Sequence, residues 1–396
     1  VFTGRDAASV ELAFQALHGQ ATTAFSGTVS WTEGGGAPGA RVSVFNDVNS
    51  NGSIDESDTV YTYMNCETDG SYAAQLPEGN YLLRADIARK ARSAVVPLAL
   101  GTTAVEANLS LVKPVSYDYR IFDDGNADAM IPARITVIGE DSVPIDVRSD
   151  GNFDQYDGVI TTVTAIRGTT TDMGDGADAP IVLPPGEDYR VLVSRGTEWS
   201  VAEMTLSPVV GDTPAELEFR LRRVVDTTGY IASEYHVHSV GSPDSPVTNE
   251  RRVATAVADG VEFYATTDHD FISVQQSVIE DLGLDRLTRS IPGEEISPLV
   301  FGHFNAWPMD HDPDSPNGGA VDWGFGDGIF AMTPAQIFEA AKARGAELIQ
   351  VNHPRQGPLG NSDITEHFDR IGLTFDYEAR SFQGDPNMMP VPAEWL

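Results

Sequence analysis

Two histidines, His236 and His238, stand close together in the run GYIASEYHVHSVGSPDSPVTNERRVATAVADGVEFYATTDHDF, residues 229–271. If residues 230–238 form a strand, both imidazoles point to one face. Asp244 follows, and Asp268 and His269 close an apolar, β-branched run at 261–267. Imidazole nitrogen beside carboxylate oxygen at strand tips is the donor mixture that divalent transition ions bind. Further on, Asn352 and His353 cap another apolar run.

The elements that must position these groups are legible around them. Pro246 suits a first helical position, and Val253, Ala256 and Val257 give a helical apolar stripe that stops at Gly260. The run 261–267 then reads as a second strand. Thr333-Pro334-Ala335-Gln336 is a capping box with proline at the first helical position. Its helix runs through Phe338, Ala341 and Lys342 to Gly345, and Leu348–Val351 reads as a buried strand. Strands alternating with helices predict a parallel α/β barrel, whose chemistry sits at the C-terminal strand ends.

HVHS, Asp244 and TTDHD, followed in order by GEEIS, GHFNAWP and VNHPR, carry a family resemblance over residues 229–356. This stretch resembles the polymerase-and-histidinol-phosphatase (PHP) metallohydrolases, and more closely the branch named after the carbaryl hydrolase CehA and its relative McbA. The resemblance implies a (β/α)7 barrel. It also implies metal-ligand roles for His236, His238, Asp244, His269, Glu295, His303 and His353. That many donors suit two or three clustered zinc, manganese or iron ions, with a metal-bridging hydroxide as nucleophile. Asp268 is expected to orient His269. Asn305 is expected near the site or in a turn. Arg355 would clamp a phosphate or carboxylate, or form an ordinary surface ion pair. The competing reading is a set of scattered histidines, as His311 and His367 are, since neither falls in a motif. The family's late Asp-x-His motif does not follow His353, and residues 229–396 fall short of the roughly 200 that such a barrel occupies. The barrel is therefore expected to be incomplete at its C-terminus. Truncation, missing residues, or a cleaved C-terminal fragment that stays attached would each explain this.

Upstream the pattern is all-β. Residues 1–24 form an N-terminal segment, 25–112 one β-sandwich, 113–226 a second, and 227–396 the metallohydrolase domain. Alternating runs at 27–31, 41–45 and 81–85 are separated by GGGAPG, TDG and PEGN turns. Ala40-Arg41-Val42-Ser43-Val44 is echoed by Ala133-Arg134-Ile135-Thr136-Val137, and the PEGNY turn by PPGEDY. The spacing of about 100 residues is that of one β-sandwich repeated. The first copy resembles the carboxypeptidase-regulatory-like sandwiches. Inside it, Asp47, Asn49, Asn51, Ser53, Asp55 and Asp58 fall at the spacing of a calcium-binding EF-hand loop, with Gly52 at its turn. Strands rather than helices are expected on both sides, which suggests a calcium clip on a sandwich loop; a bare acidic turn is the alternative. The acidic loops 123–128, 150–157 and 172–178 fit no calcium template and read as solvated turns.

Composition narrows the partners. The 396 residues carry 59 acidic against 25 basic side chains, a net charge of −34, which disfavours nucleic acid and anionic membranes. No 18-residue apolar run offers a membrane span, and Cys66 has no second cysteine to pair with. The chain opens on Val1 without a signal peptide, so preceding residues are expected to be absent. No Walker loop, dinucleotide glycine fingerprint or nucleophile elbow is present, and the glycines at 324–328 read as a loop over the site. The reading is a metal-dependent hydrolase, foremost a phosphoesterase, acting on a small-molecule or polymer ester. Carbamate or carboxyl-ester cleavage is an alternative. The sandwiches would hold it against a bacterial surface or glycan, as a secreted, periplasmic or surface protein. The rival is a non-catalytic surface, adhesive or filament-forming protein that self-assembles and keeps the core as scaffold.

Overall fold

The computed structural model describes residues 6–55, 57–87, 90–139, 159–171, 177–298, 302–324, 332–353, 374–376 and 381–383. Arg355, His367, loop 150–157, and most of loops 172–178 and 324–328 and of the stretch 376–396 lie outside them.

Helix Ala7–Leu17 begins where the Asp6 carboxylate accepts the Ser9 N–H at 3.0 Å, satisfying one of the free donors of its first turn. Two sheets follow. Strand Thr23–Trp31 pairs antiparallel with Ser71–Leu76 and parallel with Val105–Glu106 and Leu109–Leu111. Strand Arg41–Asn46 lies between Thr59–Asn65 and Gly79–Ile87, both antiparallel to it. Period-two alternation buries Val42 and Val44 against Phe25, Val29, Leu83 and Leu109. Each such fully buried valine stabilises the fold by roughly 1.5–3 kcal/mol relative to exposure.

The next stretch builds a second core in the same way. Strand Ala133–Gly139 lies between Val159–Ala165 and Tyr189–Ser194, again antiparallel. Ala133, Ile135 and Val137 face inward against Tyr119, Ile121, Val191 and Leu221. Tyr119 and Ile121 belong to Tyr119–Asp123, which pairs in parallel with Leu217–Leu221. The segments that echo each other in sequence thus hold corresponding central places in their sheets.

After residue 232 helices enter. Strands Ser233–Val237, Phe263–Thr266 and Arg289–Ile291 form a parallel sheet, joined by helices Asn249–Ala258 and Gln276–Asp281. The first helical position of the first of these helices is Asn249, not Pro246; Thr248 caps it, its side chain accepting the Arg251 N–H, and Pro246 lies before the cap. Val253, Ala254 and Val257 of this helix pack with Ile166 and Ala177 of the preceding stretch. Arg195 Nη1 also donates to Val257 O at 2.8 Å and Pro132 O at 2.9 Å, and Arg134 pairs with Asp259.

The expected barrel is corrected here. Among the described residues there is no closed barrel, and the four α-helices are short, each 6 to 11 residues long. The strands after Ile291 turn antiparallel: Glu294–Ile296 pairs with Phe304–Trp307, which pairs with Leu348–Val351. For the first of these pairs the physical reason is connection length. Residues 297–303 suffice for a hairpin, whereas a parallel crossover needs a dozen residues or more. Leu348–Val351 also departs from the buried strand expected of it, because Leu348 is 61% exposed and Val351 42%. Helix Pro334–Ala343 does form with its full capping box at Thr333 and Gln336. No helix among the described residues is long and apolar enough to cross a membrane.

Candidate metal centre

Glu295 is the hub. In the short strand Glu294–Ile296 its neighbours alternate to the other face, where the Glu294 carboxylate accepts the Val321 N–H at 3.0 Å. The side chain of Glu295 is 1% exposed and points at five imidazoles. Its Oε2 lies 3.1 Å from His236 Nε2, 3.1 Å from His238 Nε2 and 3.4 Å from His269 Nδ1. Its Oε1 lies 3.2 Å from His303 Nδ1 and 3.3 Å from His353 Nε2. His236 and His238 come from the end of Ser233–Val237. His269 follows Phe263–Thr266 and bridges to Glu295 through the backbone. His303 and His353 flank the antiparallel pair, tied by the Asn352 N–H to His303 O at 3.0 Å. Asp244 stands at the mouth, 56% exposed, with Oδ2 3.5 Å from His269 Nε2.

Hydrogen bonding alone does not account for this cluster. A carboxylate offers about four lone-pair sites. Five imidazoles converge on Glu295, and Asn352 Nδ2 donates to Oε1 at 2.8 Å as well. The serines also fix two tautomers. Ser242 Oγ donates to Asp244 Oδ1 at 2.6 Å, so at 3.0 Å it must accept from His238 Nδ1. Ser297 Oγ donates to Glu295 O at 2.8 Å, so at 2.6 Å it must accept from His269 Nδ1. Neutral His238 and His269 then turn bare Nε2 lone pairs toward Glu295 and Asp244, and each gap needs a proton or a cation. Neighbouring rings of the cluster are 4.7–5.9 Å apart. Two imidazolium charges at that separation repel by ~3 kcal/mol at an effective dielectric of about 20. A divalent cation would supply that charge while leaving the imidazoles neutral as ligands. Donors bonded at about 2.0–2.1 Å to a tetrahedral ion lie ~3.3 Å apart. The separations of 3.1–3.3 Å from the Nε2 atoms of His236, His238 and His353 to Glu295 match this spacing.

The donor atoms sort into two groups that share Glu295: His236, Glu295 and His353, and His238, His269 and Glu295. Burial alone would raise the Glu295 carboxyl, but bonds from His236, His238, His303 and His353 outweigh it and hold the group far below its ordinary range. Burial works against charge on His238 too, yet the Glu295 carboxylate lifts it above the usual imidazole value. For His269 burial prevails and pushes it down. Asp244 is held low despite its partial burial by Ser242 and by His238 and His269. Burial raises Glu294 to about 8.

The structure gathers His236, His238, Asp244, His269, Glu295, His303 and His353 at one centre. Asp268 is placed differently from expectation. Its carboxylate, 0% exposed, accepts from the Ser239 N–H, the Ser239 hydroxyl at 2.7 Å and the Ser273 hydroxyl. It therefore anchors the turn after His238, and Ser297 orients the His269 ring instead. Asn305 is buried beside the centre, donating to Tyr235 O at 2.9 Å. Sequence reading gave no role to Ser242, Ser297 or Asn352. Their signal was only position, one to four residues from a candidate ligand.

The loop after Arg41–Asn46 folds as a clip. Asp47 accepts from Asn51 N and Gly52 N at 3.0 and 3.1 Å, and Asp58 from Val48 N and Asp55 N at 3.0 and 2.9 Å. Asp55 accepts the amides of Asn49 and Asn51 at 2.8 and 2.7 Å, and Ser53 N donates to Asn51. Gly52 takes φ +75°, as a left-handed turn requires. Asp47, Asp55 and Asp58 do not form a three-residue donor group of the kind seen around Glu295.

No protein-family model matches the chain, and no curated protein matches it. Among solved structures it is similar to a streptococcal ancillary pilin at 16% identity and TM-score 0.30, covering 51% of this chain and 62% of that one. The shaft pilin SpaA from Lactobacillus rhamnosus GG is similar at 11% identity and TM-score 0.30, covering 52% of this chain and 99% of that one. A DUF3823 family protein from Parabacteroides merdae ATCC 43184 follows at 12% identity and TM-score 0.19, covering 44% and 91%. Similarity at this level extends neither architecture nor activity to this chain.

Proposed function

We propose that the chain is a metal-dependent hydrolase with a centre built on Glu295, and that a phosphoester is its foremost substrate class. The observation that carries this reading is the convergence of five imidazoles on the two oxygens of one buried carboxylate. His236, His353 and Glu295 would hold one divalent ion, and His238, His269 and Glu295 a second. Zinc, manganese or iron in such a set lowers the pKa of water and polarises a substrate oxygen. His236 and His353 are about one-third exposed at 31% and 33%, whereas Glu295 forms the floor, so the substrate enters past these two rings. Asp244 faces the bare nitrogen of His269 across a 3.5 Å gap at the rim and adds negative charge there, which favours a cation between them. The resemblance of HVHS, TDHD and NHPR to the PHP metallohydrolases supports the ligand roles and extends to no barrel. Carbamate and carboxyl esters are the other substrate classes in view. The loop at 47–58 suits a calcium-rich medium outside the cytosol, where modules bind calcium at about 10⁻⁴–10⁻³ M.

Elemental analysis of the full chain, with assays on phosphomonoesters, phosphodiesters and aryl carbamates, tests this. Hydrolysis that a chelator removes and one of the three metals restores is the expected result. Failure to bind any ion would refute the metal centre. Full occupancy without hydrolysis of any class would refute the enzyme and leave a non-catalytic scaffold.

A further inference from the structure

Behind the carboxylate lies a chain of amides whose direction is fixed at both ends. Asn305 Nδ2 donates to Tyr235 O at 2.9 Å, and a carbonyl can only accept. Asn305 therefore turns its Oδ1 toward Asn352, whose Nδ2 donates to it at 2.6 Å. The second hydrogen of the same Nδ2 goes to Glu295 Oε1 at 2.8 Å, and a carboxylate also only accepts. Gln350 Nε2 donates to Asn352 Oδ1 at 3.1 Å, completing that amide. Asn305 and Asn352 are 0% and 1% exposed, which shields their bond to each other and the bond to Glu295 from bulk water. The chain ties the strand ends that deliver His236, His303 and His353 to one oxygen of Glu295.

We infer that Asn352, braced by Asn305, is a positioning residue that fixes Glu295 as a bridge between two ions. This inference rests on the metal reading above. The Asn352 amide occupies one lone-pair direction of Oε1, and leaves the other for the ion on the His353 side. Oε2 takes no amide and faces His236, His238 and His269. Without the amide the carboxylate is free to rotate and to chelate a single ion through both oxygens.

The test loads the full chain with manganese(II) alone and compares it with Asn352→Leu. Bound manganese is counted by elemental analysis, and the two ions' magnetic coupling is read by electron paramagnetic resonance. The wild type is expected to hold two coupled ions. Asn352→Leu is expected to bind the second ion about 10–100-fold more weakly and to lose the coupled signal, the range seen when a ligand's supporting bond is removed. Two coupled ions at unchanged affinity in Asn352→Leu would overturn the inference and leave the metal reading standing. A wild type that holds no ion pair would overturn both. If Asn352→Leu does not fold, Asn305→Leu decides, since it removes the brace and keeps the bond to Glu295. A weakened second ion is then expected, and an unchanged pair would refute the positioning role.

Discussion

Replacing Glu295 by glutamine keeps the shape of the hub and removes its charge. Both donor groups contain this residue, so one substitution should weaken both ions. A charge-assisted contact contributes roughly 1.5–3 kcal/mol, and each 1.4 kcal/mol is tenfold in affinity, so each ion should bind ~10–100-fold more weakly. The loss converts directly into stability. With free metal at 100 times the wild-type Kd, each ion adds ~2.7 kcal/mol, and a 100-fold weaker site adds only ~0.4 kcal/mol. Unfolding in denaturant with and without metal, beside elemental analysis, reads both quantities. Glu295→Gln should fold, hold about one to two ions rather than a full pair, and show a smaller gain from metal. The same ion count and the same gain in variant and wild type would refute the placement of Glu295 as a shared ligand.

Three further outcomes are expected. Acid should release the metal, because imidazoles bind ions only when neutral; stabilisation by metal is present above the ordinary histidine pKa of about 6.5 and lost as pH falls through it, which titration calorimetry across pH would show. Asp178, 0% exposed and bonded to Arg167 Nη1 at 2.6 Å, has its carboxyl raised by burial. The unfolded chain then loses its proton first, so this group's contribution to stability falls as pH rises through the ordinary carboxylate range; Asp178→Asn should lack that slope in denaturant titrations between about pH 3 and 6. Calcium at about 10 mM should raise the melting temperature of the wild type and not of Asp58→Ala, whose loss opens the bonds to Val48 N and Asp55 N.

The ligands were legible because their chemistry leaves few other uses for them. A histidine pair and an acid–histidine step at the ends of apolar runs marked His236, His238 and His269, and motif spacing and order marked Asp244, Glu295, His303 and His353. Strand direction was not legible. The run Leu348–Val351 is apolar whether it pairs parallel or antiparallel, and only the short 297–303 connection hinted at the turn. Asp268 shows another limit. Its neighbour His269 suggested a shared task, yet successive side chains at a strand's end diverge, and Ser239 and Ser273 lay nearer. For Asn352 the only signal was its place beside His353, which assigned it no task, since an amide beside a histidine is as common in a turn as beside a metal.

The clasp of Arg195 on the carbonyls of Val257 and Pro132, with the shared packing of Val253, Ala254, Ile166 and Ala177, has a practical corollary. A fragment begun at Thr227 would carry every described imidazole of the cluster and still lose the part of its first helix's packing that Ile166 and Ala177 supply. The smallest piece able to stand alone therefore reaches back across the preceding sheets, and whatever chemistry the histidines perform travels with that stretch as one inheritable block.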